Sequence, residues 1–127
     1  MAHGISSFLG NGWMNALGNA SAFVVVQPYV KLHVGDPGAA GTSNPAVETT
    51  RKSVSFAAAA AGALASDADI SWTNIAGSED ATHFTVWDAL VAGNFLFSGT
   101  ITANPYTDGD TYTISSGNLT VSLTLAS

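Results

Sequence analysis

After Asn19 the apolar residues recur at every second position in short runs, and each run ends in a cluster of Gly, Asn, Asp or Ser. No other feature constrains the fold as much. Strand side chains alternate between two faces, whereas helical ones repeat every three to four residues. The clearest run is Leu119, Val121, Leu123 and Leu125, alternating with Thr120, Ser122 and Thr124. Earlier runs place Val30, Leu32 and Val34 against Tyr29, Lys31 and His33, inside a longer apolar stretch from Phe23 to Val34. Pro28 cannot donate to a ladder, so it marks an edge or a strand start. Further strands are expected at Ser53–Ala57, around Ile70 and Trp72, around Phe84 and Val86, at Phe95–Ile101 with a bulge or bend at Gly99, and at Thr111–Ile114. The turns fall at Gly35-Asp36-Pro37-Gly38, Gly77-Ser78, Ala92-Gly93-Asn94, Asp108-Gly109-Asp110 and Ser116-Gly117-Asn118. The alanine run Ala57–Ala61 is ambiguous between helix and strand. Short strands separated in this way predict a mainly β chain: one antiparallel β-sandwich or barrel-like domain over residues 23–127.

Residues 1–22 read differently. Ile5, Phe8, Leu9, Trp13 and Leu17 are spaced by three and four, which places them on one helical face. Ser6 or Ser7 is a suitable cap. Gly10, Gly12 and Gly18 each cost about 1 kcal/mol relative to Ala, so this amphipathic helix needs a surface to press against. That surface is either the chain's own sheet or a neighbouring subunit. On the second alternative Ile5, Phe8, Leu9, Trp13 and Leu17 form a docking face. Trp87 alternates out of phase with Phe84 and Val86, which makes it a second candidate contact. The other possibility for Trp87 is a strand buried on both faces. Trp72 and Phe84 match inward positions.

Charge narrows the function. Only 9% of the 127 residues are charged, and the net charge is −6, where soluble domains average about 25% charged. A nucleic-acid binder needs a basic footprint, and a membrane-surface helix needs Lys and Arg on its polar face. Neither nucleic acid nor a membrane is therefore expected as a partner. High apolar content argues against disorder. A surface so poor in charge suggests that much of it faces other protein. No Cys is present, which removes disulfides and thiolate chemistry. The N-terminal residues lack the basic region of a secretory signal, and no targeting segment is expected.

Motifs for chemistry are weak. His33 and His83 fall on strands, out of phase with the apolar set, and are expected on the less buried face. A Ser-His-Asp set is imaginable from His83, Asp88 and one of many serines, yet no Gly-x-Ser-x-Gly elbow exists. Asp67 with Asp69, Glu79 with Asp80, and Asp108 with Asp110 sit beside turn residues, where Asp bonds local backbone. Asp108-Gly109-Asp110 lacks the rest of a Ca²⁺ loop. The loop Gly35–Gly41 has no Gly-Lys-Ser/Thr sequel. No enzyme, cofactor or metal is expected. Outward aromatics such as Trp87 and Tyr106 leave open a carbohydrate-binding role.

The stretch Tyr29-Val30-Lys31-Leu32-His33-Val34-Gly35-Asp36-Pro37-Gly38 and the small-residue loop after it resemble a signature of small tailed-bacteriophage virion proteins of actinobacteriophage type. Arg51, Val54-Ser55-Phe56, Ile70-Ser71-Trp72, His83-Phe84-Thr85-Val86-Trp87-Asp88 and Gly93-Asn94-Phe95-Leu96 are similar to later parts of it. The resemblance implies a virion structural protein assembled in the bacterial cytoplasm, with other virion proteins and copies of itself as partners. Capsid decoration is the main expectation, because the chain has no long fibrous segment. A minor tail or tail-fibre component contacting the host is the alternative.

Overall fold

The computed structural model describes residues 4–126. One helix, α1 (Ser7–Gly18), precedes eight strands: β1 (Tyr29–His33), β2 (Lys52–Ser53), β3 (Ala63–Ala65), β4 (Ile70–Trp72), β5 (His83–Trp87), β6 (Phe95–Thr100), β7 (Tyr112–Ile114) and β8 (Thr120–Ser122). The main sheet has the order β2-β1-β5-β6, and β3-β8 and β4-β7 form two small sheets. All pairings are antiparallel. The chain is thus mainly β with one N-terminal helix, as the periodicity predicts, and its sheets are open rather than closed into a barrel.

β1 and β5 lie in the middle of the main sheet because their apolar residues match in register. Val30 stands opposite Val86, and Leu32 opposite Phe84. All four are fully buried and face one core. Phe97 of β6 meets Phe84 edge-on at 6.0 Å, a favoured aromatic geometry. The small sheets contribute Ile70, Trp72, Tyr112 and Ile114 to the same core, and Leu9 of α1 joins it.

Several boundaries differ from the periodicity. The register shift in β5–β6 lies between Val86 and Trp87, where Leu96 is the extra residue, rather than at Gly99. Gly99 serves a different purpose: the Phe84 ring lies so close that an added Cβ would sit 2.9 Å from it. Of the stretch Phe23–Val34 only Tyr29–His33 pairs. Phe23 and Val25 pack against the core while Val24 and Val26 point outward, so the alternation is real although no strand partners it. The Ala57–Ala61 run forms neither helix nor a long strand. It ends in a tight reversal with Ala61 and Gly62 at positive φ, leading into β3. The last run pairs only over Thr120–Ser122, because its partner β3 is three residues long. Leu123 and Leu125 are consequently exposed.

Candidate interaction surfaces

The start of α1 is fastened to the sheet. Residues 4–6 run along the outer edge of β6: Ser98 N–H donates to the Gly4 carbonyl at 2.8 Å, Ser6 N–H to the Leu96 carbonyl at 2.8 Å, and Ile5 pairs with Phe97. Ser6 is the cap. Its hydroxyl accepts from Leu9 N–H at 3.1 Å and donates to the Phe95 carbonyl at 2.6 Å, satisfying a helix N–H that lacks an intrahelical partner.

This anchoring divides the stripe read from the sequence. Leu9 is buried in the chain's own core, and Ile5 and Trp13 are half-buried against it. Phe8 faces outward with its ring 5.7 Å from that of Phe23, and Leu17 is 81% exposed. The last turns of α1 overhang the body, because everything from Met14 to Ala20 is exposed. Met14, Val24 and Val26 add exposed apolar surface nearby. Helical spacing misses them: Met14 falls off the stripe, and the two valines belong to an apparent strand. Beneath the helix lies an apolar cleft of about 490 Å³, walled by Leu9, Trp13, Phe23, Phe56, Leu64 and Val121. Leu64, Trp13 and Val121 also border a shallower cleft of about 160 Å³ that reaches Leu123.

His33 corrects the sequence reading. It is fully buried instead of lying on the less buried face. The turn after β1 folds back across the second face of the main sheet and buries Pro37, His33 and Thr85 together. The cover is held by Gly38 N–H on Asp36 Oδ1 at 2.9 Å, Ser43 N–H on the Pro37 carbonyl at 2.8 Å and Val34 N–H on the Asn44 carbonyl at 2.9 Å. Inside it, Trp87 Nε1–H donates to Thr85 Oγ1 at 2.8 Å. Thr85 Oγ1 lies 2.9 Å from His33 Nε2, and His33 Nδ1 lies 2.8 Å from the Ser43 carbonyl. An indole nitrogen only donates. The Ser43 carbonyl only accepts, so His33 Nδ1 carries a proton. In the neutral imidazole Nε2 then accepts from the Thr85 hydroxyl. Burial, and then the nearby Lys31 and His83, push the pKa of His33 below the ordinary 6.5, against its hydrogen bonds to the backbone of Ser43 and Asn44.

Trp87 is half-buried on that same second face. The Arg51 guanidinium carbon sits 4.4 Å from the centre of its ring, and the Phe95 ring lies 5.5 Å away. Arg51 Nη1 also donates to the Ala89 carbonyl at 2.8 Å and the Ala92 carbonyl at 2.6 Å. Asp88 accepts from Asn94 N–H at 2.7 Å and from Asn94 Nδ2 at 2.9 Å. The β5–β6 turn is thus clasped at both ends, and it presents exposed Leu90 and Val91 at its tip.

Among the described residues, the titratable groups named in the sequence reading make mostly local contacts. Asp88 directs both oxygens to Asn94, and His83 Nδ1 is 2.9 Å from Thr82 Oγ1. Four other carboxylates join loops, whereas Asp80 Oδ1 is buried without a hydrogen-bond partner. Asp108 Oδ1 accepts from Gly77 N–H at 2.8 Å, Asp69 Oδ1 from Ser116 N–H at 2.8 Å, and Asp110 Oδ2 from Thr107 N–H at 2.9 Å. Glu79 Oε2 accepts from Val47 N–H at 2.7 Å and from the Tyr106 hydroxyl at 3.3 Å. Tyr106 is not an outward aromatic. It is buried beside Tyr112, with ring centres 5.3 Å apart, and burial and the Glu79 charge raise its pKa. Among the described residues there is no cluster of three or more His, Asp or Glu suited to a metal, and no helix long and apolar enough to cross a membrane.

A family model described as Gp80, podophage GP4 fiber I protein gp80, matches residues 4–122. The match agrees with the virion structural part of the resemblance above and carries no actinobacteriophage label. Among curated proteins none matches the chain.

Proposed function

Since the chain belongs to the podophage GP4 fiber I protein gp80 family, and is thereby a phage virion structural protein, we propose that it is a non-enzymatic fibre component rather than a capsid decoration. The family match over nearly the whole chain is the observation that carries this reading. It reverses the weighting drawn from the absence of a fibrous segment. Copy number tests it. Quantitative mass spectrometry of purified particles is expected to find this chain at the stoichiometry of fibres. Hundreds of copies per particle would return it to the shell.

The chain joins other virion proteins, or further copies of itself, through the exposed apolar residues of α1. Phe8, Met14 and Leu17 are exposed there, and the helix carries no charged residue. Ile5, Leu9 and Trp13 set the helix in place from beneath, and Trp87 stiffens a second contact at the Leu90–Val91 tip. Leu17→Asp places a charge on that surface without touching the core. It is expected to lower incorporation into particles at least tenfold, about 1.4 kcal/mol of contact energy, while the melting curve of the free protein is unchanged. Normal incorporation would move the docking face elsewhere.

A further inference from the structure

We propose that the basic pair Lys31 and Arg51, on the second face of the main sheet, receives the Asp108–Asp110 loop of a second copy of this chain in a head-to-tail contact. The chain has three Lys and Arg residues against nine Asp and Glu, and two of the three bases stand side by side. Tyr29 pairs with Ser53 and Val30 with Lys52. One further step of that register brings Arg51 across from Lys31. Like charges opposite each other on neighbouring strands are destabilising. Burial, and then the Arg51 charge, lower the pKa of Lys31. No carboxylate of the chain relieves the pair. Among the described residues Lys31 has no hydrogen bond or ion pair. Asp88 attracts Arg51, yet both Asp88 oxygens accept from Asn94. Arg51 commits Nη1 to the Ala89 and Ala92 carbonyls. Nε and Nη2 remain as donors beside the Trp87 ring. Lys31 and Arg51 are both half-buried, and charges so placed are screened less than fully exposed ones.

The matching charge lies elsewhere on the same chain. Glu48, Glu79, Asp80, Asp108 and Asp110, five of the nine carboxylates, fall in three segments that hydrogen bonds join into one lobe. Glu48 Oε1 accepts from Ala76 N–H at 3.0 Å, and Asp108 N–H donates to Ser78 Oγ at 3.0 Å. Ile75 N–H donates to the Asp110 carbonyl at 2.9 Å, and Gly109 N–H to the Ile75 carbonyl at 2.8 Å. Lys52 acts on Glu48 within the chain, which leaves Lys31 and Arg51 as the bases free to meet a partner. Asp108 and Asp110 are exposed. Each rests one oxygen on a backbone N–H, and among the described residues neither pairs with a base. The lobe adjoins the start of β5, whereas Arg51 holds the turn after its end. A second copy can bring the two patches together. Contact between unlike patches leaves one basic pair and one acidic loop open, so it repeats. It uses neither the α1 residues nor the fibre reading.

Sedimentation velocity of the full chain, at rising concentration in low and in high salt, tests this. Self-association is expected at low salt and should weaken as salt is added, because exposed charges are screened. Apolar contact through α1 would not weaken in that way. Lys31→Glu sets a carboxylate against the partner's own and should weaken association at least about tenfold. Asp108→Asn/Asp110→Asn keeps the acceptor oxygens of the loop, removes its charges and should weaken association too. Mixing these two variants is the sharpest measurement. The first keeps an acidic loop and the second a basic pair, so the mixture should form a one-to-one pair that does not grow with concentration. Lys31→Met keeps the stem and removes the charge. It should melt no lower than the wild type, because a repulsion is relieved, and yet associate less. A monomer at every salt and concentration would overturn the proposal. So would association unchanged by salt or by Lys31→Glu, a mixture that stays monomeric, or a lower melting temperature for Lys31→Met, which would make Lys31 a structural residue. None of these outcomes bears on copy number in particles, so failure here leaves the fibre reading intact.

Discussion

Trp72→Ala is expected to lower the free energy of unfolding by about 3–5 kcal/mol, the usual cost of truncating a buried Trp or Phe. Trp72 is 1% exposed. It ends β4 opposite Tyr112 of β7, with ring centres 6.0 Å apart. Its Nε1–H donates to the Thr50 carbonyl at 2.9 Å, just before β2. One side chain therefore joins a small sheet to the edge of the main one. Little can collapse into the space it leaves, because Tyr112 is held against Tyr106 and Tyr106 hydrogen-bonds to Glu79. Urea titration followed by far-UV circular dichroism measures the effect. Trp72→Phe, which keeps most of the volume and loses the N–H, should recover more than half of it. A loss below about 1 kcal/mol for Trp72→Ala, the scale of an ordinary surface change, would mean that the two sheets are not coupled there.

The second large effect is expected in the network under the Gly35–Pro45 turn. Thr85→Val keeps the branched shape of a fully buried residue and removes its hydroxyl. His33 Nε2 is left without a donor, and an orphaned buried group costs about 1–3 kcal/mol. The same site sets a pH dependence. The folded-state pKa of His33 lies below its ordinary value, so the unfolded chain binds the proton more tightly. The stabilisation from neutral His33 is complete above the unfolded-state pKa, about 6.5. It is lost as pH falls below that value towards the depressed folded-state pKa. Denaturation midpoints of the wild type should fall between neutral pH and about pH 5, above the range where most carboxylates titrate. His33→Gln should be less stable at neutral pH but change less across that window. Parallel pH profiles for the two proteins would remove His33 as the acid-sensitive group.

The network also shows where the sequence stops being informative. Alternation assigns His33, Thr85 and Trp87 to one face of the sheet, and that assignment is correct. It cannot say whether another part of the chain covers that face. The cover is a turn, and turn residues carry no periodicity. Pro37 reads as a turn former while its ring is also buried over the sheet. Similarly, β3 is Ala-Leu-Ala, a composition with little strand preference, and its shortness is what leaves Leu123 and Leu125 outside. The helical stripe was legible as far as Trp13. Beyond that residue α1 outruns the body it rests on, so Leu17 has the spacing of a buried residue and the exposure of a surface one.

The pairing of residues 4–6 along β6 has a consequence for life at high local concentration. An open sheet edge invites strand addition from another molecule, and many proteins discourage it with charge. This chain has little charge to use. Its N-terminal residues occupy the β6 edge, and the opposite edge, β2, is two residues long. The main sheet therefore leaves little free edge for strand addition by another molecule, and topology does there what charge does elsewhere.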